Sequence, residues 1–230
     1  MSLTYAIGDI HGCAWLLGRL LDAIERHRDG RPRRLVFLGD FVDRGPDSAG
    51  VISRLMALRA AEPDGVTCLA GNHEDMMVRA GLDRTSWRHW MANGGRETID
   101  SYGVGHIDGV PVEIRAWIAA LPTLHEDARR IYVHAGLRPG LAPGASDRRD
   151  RLWIREDFLG ADHDFGKHVV HGHTPQRSGT PELRPYRTNL DTAAVFGGAL
   201  TAGVFTAAQG PPVAYLRATP DGAVRAVGLA

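Results

Sequence analysis

Five short apolar runs, each closed by a glycine-bounded polar cluster, constrain this chain more than any other feature. Residues 3–7 end in GDIHG, residues 34–38 in GDFVDRG and residues 66–70 in GNHE. Further along, residues 131–133 end in HAG and residues 168–170 in HGHTP. Runs this short, flanked by glycine and partly β-branched, read as buried strands rather than helices. Helical patterning lies between the first three. Residues 15–27 place Leu17, Leu20, Leu21 and Ile24 on one face, and Val51, Ile52, Leu55 and Met56 repeat the device. Strand–helix–strand alternation predicts βαβ units with helices covering a sheet.

Beyond those units, residues 74–90 and 112–119 pattern as helices, with Pro122 past the end of the second. From Leu124 onward the chain reads mostly as strand, and Thr219-Pro220-Asp221-Gly222 is a turn between two last strands. Residues 138–150, rich in Pro, Gly and charge, read as an exposed loop. No repeat or linker interrupts the 230 residues, a length suited to a single domain over 1–230.

Composition removes several function classes. Lys+Arg 27 and Asp+Glu 27 cancel, so nothing in the balance favours a nucleic-acid or anionic-membrane partner. Residues 193–208, the longest apolar tract, are interrupted by Gly197-Gly198 and are too short to span a bilayer. The N-terminus lacks a basic segment followed by an apolar one. Cys13 and Cys68 are distant and have no metal-type cysteine neighbour, which suits a reducing cytoplasm and excludes a disulfide framework. Oligomeric state is left open, with a monomer compatible.

Every polar cluster sits at the carboxyl end of its run, where open α/β sheets bind ligands. Asp9 and His11 form a D-x-H whose side chains project to one side of an extended segment. Asp40, Asp43 and Arg44 follow the second run, Asn72 and His73 the third, His134 the fourth, and His171 and His173 the fifth. Any one of these alone is more readily a turn or a satisfied core histidine. Together they need a cation to offset the burial of so many His and Asp groups. Imidazole, carboxylate and amide oxygen suit Mn, Fe or Zn.

The ordered set GDIHG, GDFVDRG, GNHE, HAG and GHTP closely resembles the phosphoprotein-phosphatase branch of the calcineurin-like metallophosphoesterases. Within it, the chain looks most like the bacterial and lambda-phage-type serine/threonine phosphatases. The motifs span residues 8 to 175, and Asn93-Gly94-Gly95, Tyr102-Gly103, residues 153–155 and the closing DTAAVFGG strengthen the likeness. The resemblance implies an α/β fold of two mixed β-sheets packed as a sandwich flanked by helices. It implies two divalent metal ions, Mn²⁺ foremost with Fe or Zn as alternatives, cleaving a phosphoprotein or other phosphoester.

The same resemblance assigns roles by position. Asp9, His11 and Asp40 would hold the first metal, and Asp40 would bridge to a second completed by Asn72, His134 and His173. His73 matches the general acid, oriented by Asp43. Arg44 and Arg155 match phosphate clamps, and Asn72 stands beside the bound phosphate. His171 has no family role. Two cations ~3.5–4 Å apart bind phosphate oxygens and lower the pKa of a bridging water, so attack by metal-bound hydroxide needs no phosphoenzyme. Pro175 stands where nucleases and phosphodiesterases of the wider superfamily place a further histidine, which favours the monoesterase pattern.

Three alternatives stay open. Symmetrical diadenosine tetraphosphate hydrolases share the motif set but commonly carry glutamine where His11 stands. Small phosphoesters are possible because the eukaryotic C-terminal substrate-loop signature is missing, with residues 183–192 in its place. A metal-stabilised binding module would have lost ligands or the acid, yet every matching position is filled. Cys13 and Arg19 have the spacing of cysteine-dependent phosphatases, but the residues between them, Ala-Trp-Leu-Leu-Gly, read as an apolar helix start rather than a phosphate loop.

Overall fold

In the computed structural model, which describes residues 2–229, the chain begins as two successive βαβ units. β1 (Leu3–Ile7), α1 (Ala14–Arg28), β2 (Arg33–Phe37), α2 (Ser48–Ala61) and β3 (Val66–Cys68) follow in order, with β1, β2 and β3 parallel. α1 forms because Leu16, Leu17, Leu20 and Ile24 make one buried stripe, and its last turn carries Arg26, His27 and Arg28 against the negative helix end. It stops at Asp29, in the left-handed conformation that closes many helices. α2 starts at Asp47, whose side chain accepts from Gly50 N.

A helical excursion follows: α3 (Asn72–Ala80), α4 (Arg84–Trp90), α5 (Arg96–Ser101) and α6 (Val112–Ala119). The helix expected over residues 74–90 is therefore two. The break falls at Gly81-Leu82-Asp83, where Asp83 accepts from Thr85 N and Ser86 N and starts a new helix. β4 (Leu124–Glu126) and β5 (Arg130–Val133) open a second sheet, and α7 (Arg148–Trp153) and α8 (Glu156–Leu159) interrupt it. These two short helices correct the expectation of mostly strand after Leu124. The loop expected over residues 138–150 is largely exposed but gives way to α7 at Arg148, started by Asp147 accepting from Asp150 N.

β6 (His168–His171), β7 (Glu182–Leu183), β8 (Arg187–Asn189), β9 (Leu200–Phe205), β10 (Ala214–Ala218) and β11 (Val224–Gly228) complete the chain. β10 and β11 are antiparallel across the expected turn. One mixed sheet has the order β11-β10-β9-β1-β2-β3 and the other β4-β5-β6-β8-β7. Alternation along the strands makes the layers. Tyr5 and Ile7 face the helices, whereas Ala6, Val36, Leu38 and Leu69 join Tyr132, Val170, Leu190 and Phe205 between the sheets. Ile131, Val133 and Val169 face outward onto Ile154 and Phe158 beside α7 and α8. The two-sheet sandwich flanked by helices stands as expected. No described helix is long and apolar enough to cross a membrane.

This packing brings the carboxyl ends of β1, β2 and β3 in one sheet against those of β5 and β6 in the other. The loops there are fastened to one another through their backbones. Ile10 N and His11 N donate to Asp40 O, Gly12 N to Phe41 O, and Gly172 N to His134 O.

Candidate active site

Asp40, just past β2, is the centre of the site. Its Oδ2 lies 3.4 Å from His11 Nε2 and 4.0 Å from His73 Nε2, and its Oδ1 lies 3.4 Å from His134 Nε2. Two groups able to hold a metal ion share it: His11, Asp40 and His73 on one side, and Asp40, His134 and His173 on the other. Asn72, the first residue of α3, points its Oδ1 to within 2.9 Å of both His134 Nε2 and His173 Nδ1. Asp9 is buried at the edge, its carboxylate accepting from His173 N at 3.1 Å. All six expected ligands are thus gathered, although Asp9 stands outside both three-residue groups and His73 within one.

The donor chemistry fits cations. His11 Nδ1 donates to Val42 O at 2.8 Å, and His134 Nδ1 to Leu38 O at 2.9 Å. The carbonyl behind His134 fixes the tautomer of its neutral ring, leaving the Nε2 lone pair aimed at Asp40 Oδ1 and Asn72 Oδ1, acceptor facing acceptor. Such an arrangement is repulsive until a cation lies between. Burial and the neighbouring His134 push the His173 ring down to about 2, and burial also lowers His134, so both imidazoles stay neutral and ready to ligate. Burial alone would raise Asp40, but positive charge on the facing rings holds the carboxyl well below its usual range, and Asp40 in turn raises His11 against the effect of burial, so it is cationic charge at this point that the carboxylate favours. Burial, Asp191 and Asp40 raise Asp9. Two cations would relieve this crowding of carboxylates.

His73 follows Asn72 in the first turn of α3 and is buried. Its Nδ1 donates to Asp43 Oδ2 at 2.7 Å, which turns Nε2 toward Asp40. Asp43 in turn accepts from Trp90 Nε1 at 2.9 Å and Thr98 Oγ1 at 2.7 Å, so every oxygen is occupied. Trp90 and Thr98 carry no motif signal and went unnoticed in the sequence. At the rim, Arg44 Nη1 donates to His11 Nε2 at 2.8 Å, and Arg155 Nε to His173 Nε2 at 3.2 Å. Both expected guanidiniums therefore reach the centre from opposite sides.

Backbone strain concentrates in these loops. His11, Asp40, Asp43, Arg44 and His173 all adopt positive φ, between 44° and 74°. Left-handed non-glycine residues cost about 1–3 kcal/mol each and persist where surroundings fix them. Close approach also demands glycine: a Cβ at Gly71 would collide with Asp40 Oδ1, and one at Gly172 with Asp9 Oδ1.

Two buried acids were missed. Glu74 belongs to the GNHE string but was given no role, and it hydrogen-bonds to the Asp40 loop. Asp191, in DTAAVFGG, accepts from Ala193 N, and burial raises it to about 6. His171 stays out of both metal groups, packed edge-on against Phe158 at 5.1 Å and pushed down to about 3 by burial. Cys13 starts α1, and burial pushes its thiol up to about 11, which removes the thiolate that cysteine-phosphatase chemistry needs.

Beside the centre lies a cleft of about 830 Å³ between α3 and α7. Met76, Leu152 and Trp153 supply apolar wall, and the rest of the lining mixes basic and acidic groups: Arg79 and Arg148 are paired with Asp75, and His89, Arg149 and Asp147 complete it. The Trp153 indole, 37% exposed, stands 6.2 Å from the His173 ring.

Comparison with known proteins agrees with this geometry. The calcineurin-like phosphoesterase family pattern matches residues 3–198. The asymmetrical bis(5'-nucleosyl)-tetraphosphatase PrpE of Anoxybacillus flavithermus is 30% identical over 224 residues, covering 85% of this chain and 87% of that protein. Serine/threonine-protein phosphatase 1 of Salmonella typhimurium is 30% identical over 210 residues, covering 86% and 89%. Among solved structures, a cold-active protein-tyrosine phosphatase of a Shewanella species superposes with a TM-score of 0.64 at 19% identity, over 98% of this chain and 80% of that one. The chain belongs to the calcineurin-like phosphoesterases, and phosphoester hydrolysis is the chemistry this membership supports.

Proposed function

We propose that the chain is a metal-dependent phosphatase that hydrolyses phosphoserine and phosphothreonine esters in proteins at a dinuclear centre. The observation that carries the reading is Asp40, shared by two groups of inward-facing donors. Asp9, His11 and Asp40 hold one divalent cation, and Asp40, Asn72, His134 and His173 the other, Mn²⁺ being the foremost candidate. When bound, the pair polarises the phosphate oxygens and lowers the pKa of a water between them.

The remaining work falls to the side chains. His73 presents Nε2 to the leaving oxygen and gives it a proton, while Asp43 holds Nδ1–H and supports the cationic ring. We give His73 this role rather than that of a ligand because its Nε2 stands further from Asp40, at 4.0 Å, than those of His11 and His134 at 3.4 Å. Arg44 and Arg155 fork onto the phosphate oxygens from opposite rims.

The protein substrate is favoured over symmetrical dinucleotide cleavage by His11, where symmetrical hydrolases commonly carry glutamine, and is supported by the Salmonella relative. A second reading rests on the cleft. An exposed indole beside apolar wall suits a nucleobase, and His89 and Arg149 at the same cleft suit further phosphates, with Asp75 already engaged by Arg79 and Arg148. The relatives named for dinucleotide cleavage are asymmetrical tetraphosphatases, so this alternative moves from symmetrical to asymmetrical cleavage.

The test is to strip the protein with chelator, restore Mn²⁺ and compare phosphate release from a phosphoserine peptide with diadenosine tetraphosphate cleavage. Faster metal-dependent turnover of the peptide supports the phosphoprotein reading. Preference for the dinucleotide replaces it with the second. Silence on both with metal bound revives the reading as a metal-stabilised binding module.

A further inference from the structure

We propose that Glu74 is a positioning residue of the centre, setting where the shared carboxylate of Asp40 stands by clamping the backbone that carries it. The proposal rests on the dinuclear reading above.

Glu74 is buried, 1% exposed, and among the described residues it enters no ion pair. A carboxylate so placed must find donors or stay protonated. It finds four backbone N–H groups. Oε2 accepts from Asp40 N and Gly71 N, both at 2.8 Å, and Oε1 from Phe41 N at 2.8 Å and Val42 N at 3.3 Å. Three of these donors are consecutive residues of the loop after β2, gathered on one anion as in a backbone nest. The conformation they fix is the strained one: Asp40 has φ 52° and Asp43 φ 74°.

The clamp also couples the two metal groups. Glu74 sits in the first turn of α3, two residues after Asn72, and the neighbouring His73 N donates to Asp40 Oδ1 at 3.0 Å. Asp40 is therefore held at its backbone by Glu74 and at its carboxylate by the same helix turn. Asn72, a donor of the second group, moves with them. Glu74 thus links the β2 loop to α3 and fixes Asp40 relative to Asn72 before any cation arrives. A ligand role for Glu74 itself is disfavoured, because both oxygens already accept two hydrogen bonds.

Glu74→Gln keeps the size but turns an amide NH₂ toward two N–H donors, forcing the loop away from one oxygen position. Mn²⁺ is titrated into chelator-stripped wild type and variant, with metal content per chain read after desalting and Mn–Mn coupling read by EPR. The expected result is weaker Mn²⁺ binding by about 10–100-fold, the usual effect of removing a group that orients metal ligands, with altered coupling in what pair still forms. Glu74→Asp retains both oxygens at shorter reach and gives the same direction of change if Glu74→Gln does not fold. Ile24→Val, a core change in α1 away from the site, lowers the melting temperature of metal-free protein and leaves the titration unmoved. Wild-type affinity and coupling in both Glu74 variants would overturn the proposal. A wild-type chain that binds a single Mn²⁺ would instead overturn the dinuclear reading, and the two failures are told apart before any variant is made.

Discussion

Replacing Asp43 by asparagine should separate proton donation from metal binding. Asp43 is fully buried, and its oxygens receive His73 Nδ1 at 2.7 Å, Thr98 Oγ1 at 2.7 Å and Trp90 Nε1 at 2.9 Å. Asparagine keeps one acceptor oxygen and turns an NH₂ group toward a donor. Its lost charge removes the support for a protonated His73. A hydrogen bond to a charged group contributes about 1.5–3 kcal/mol. At ~1.4 kcal/mol per tenfold in rate, that is roughly a 10- to 150-fold loss in any step where His73 supplies the proton.

The loss should depend on the leaving group. A serine alkoxide needs a proton as it departs, whereas p-nitrophenolate leaves readily without one. The assay is kcat/KM of Mn²⁺-loaded wild type and Asp43→Asn on a phosphoserine peptide and on p-nitrophenyl phosphate, with metal content measured alongside. Peptide turnover should fall in the range above, and nitrophenyl turnover by less than about threefold. Equal losses on both substrates at full metal content would refute the assignment of His73 and Asp43 as a proton-donating pair.

Asp40→Asn should lower occupancy of both metal positions, read as metal per chain; loss of one alone contradicts the bridging role. Chelation should lower the melting temperature, because each site held at 100-fold its Kd adds about 2.7 kcal/mol, or roughly 5–10 °C for a chain of this size. Arg44→Ala and Arg155→Ala should each raise KM for phosphate esters by roughly 10- to 150-fold while metal content holds, since a charge-assisted contact contributes ~1.5–3 kcal/mol; an unchanged KM removes the clamp role. His168, whose Nε2 meets Thr188 Oγ1 at 2.7 Å, is lowered by burial to about 4 from 6.5. Its stabilising contribution is therefore present above pH 6.5 and lost as pH falls from 6.5 toward 4, because the unfolded chain takes up that proton first. His168→Gln should flatten the acid loss of stability in that window, measured by urea unfolding at pH 4.5 and 7 in metal-free protein; an unchanged difference refutes the linkage.

What the sequence revealed tracks how local the responsible physics is. β1, α1 and β6 are legible because burial on one or both faces writes its period into neighbouring residues. Six-residue α7 and four-residue α8 are too short to show a period, so the chain after Leu124 looked like strand. The helical pattern over residues 74–90 ran through Gly81-Leu82-Asp83 because Met77 and Ala80 on one side and Trp90 on the other all turn to the core. The metal donors stood out as polar residues at glycine-bounded strand ends. Their supports did not. Trp90 and Thr98 meet Asp43 only through tertiary folding, and Glu74, though inside GNHE, acts on backbone groups some thirty residues earlier. Backbone partners leave no trace in side-chain pattern.

That asymmetry bears on how the site is built. Five of its residues hold a left-handed backbone, each at ~1–3 kcal/mol, and apolar packing of their own side chains does not compensate them. Main-chain hydrogen bonds support them: Ile10 N and His11 N to Asp40 O, Gly12 N to Phe41 O, Arg44 N to Gly94 O, Asp43 N to the hydroxyls of Ser48 and Thr98, and His173 N to the Asp9 carboxylate. Of these bonds only that of His173 involves an atom proposed to hold a metal, the Asp9 carboxylate. The loop that carries Asp40 and Asp43 therefore has supports that do not depend on a cation. Preorganisation of this kind would reduce the reorganisation each cation of the proposed dinuclear centre must drive. It also explains why glycine recurs around the donors. Where backbone supports backbone at such close range, as at Gly71 beside Asp40, there is no room for a side chain.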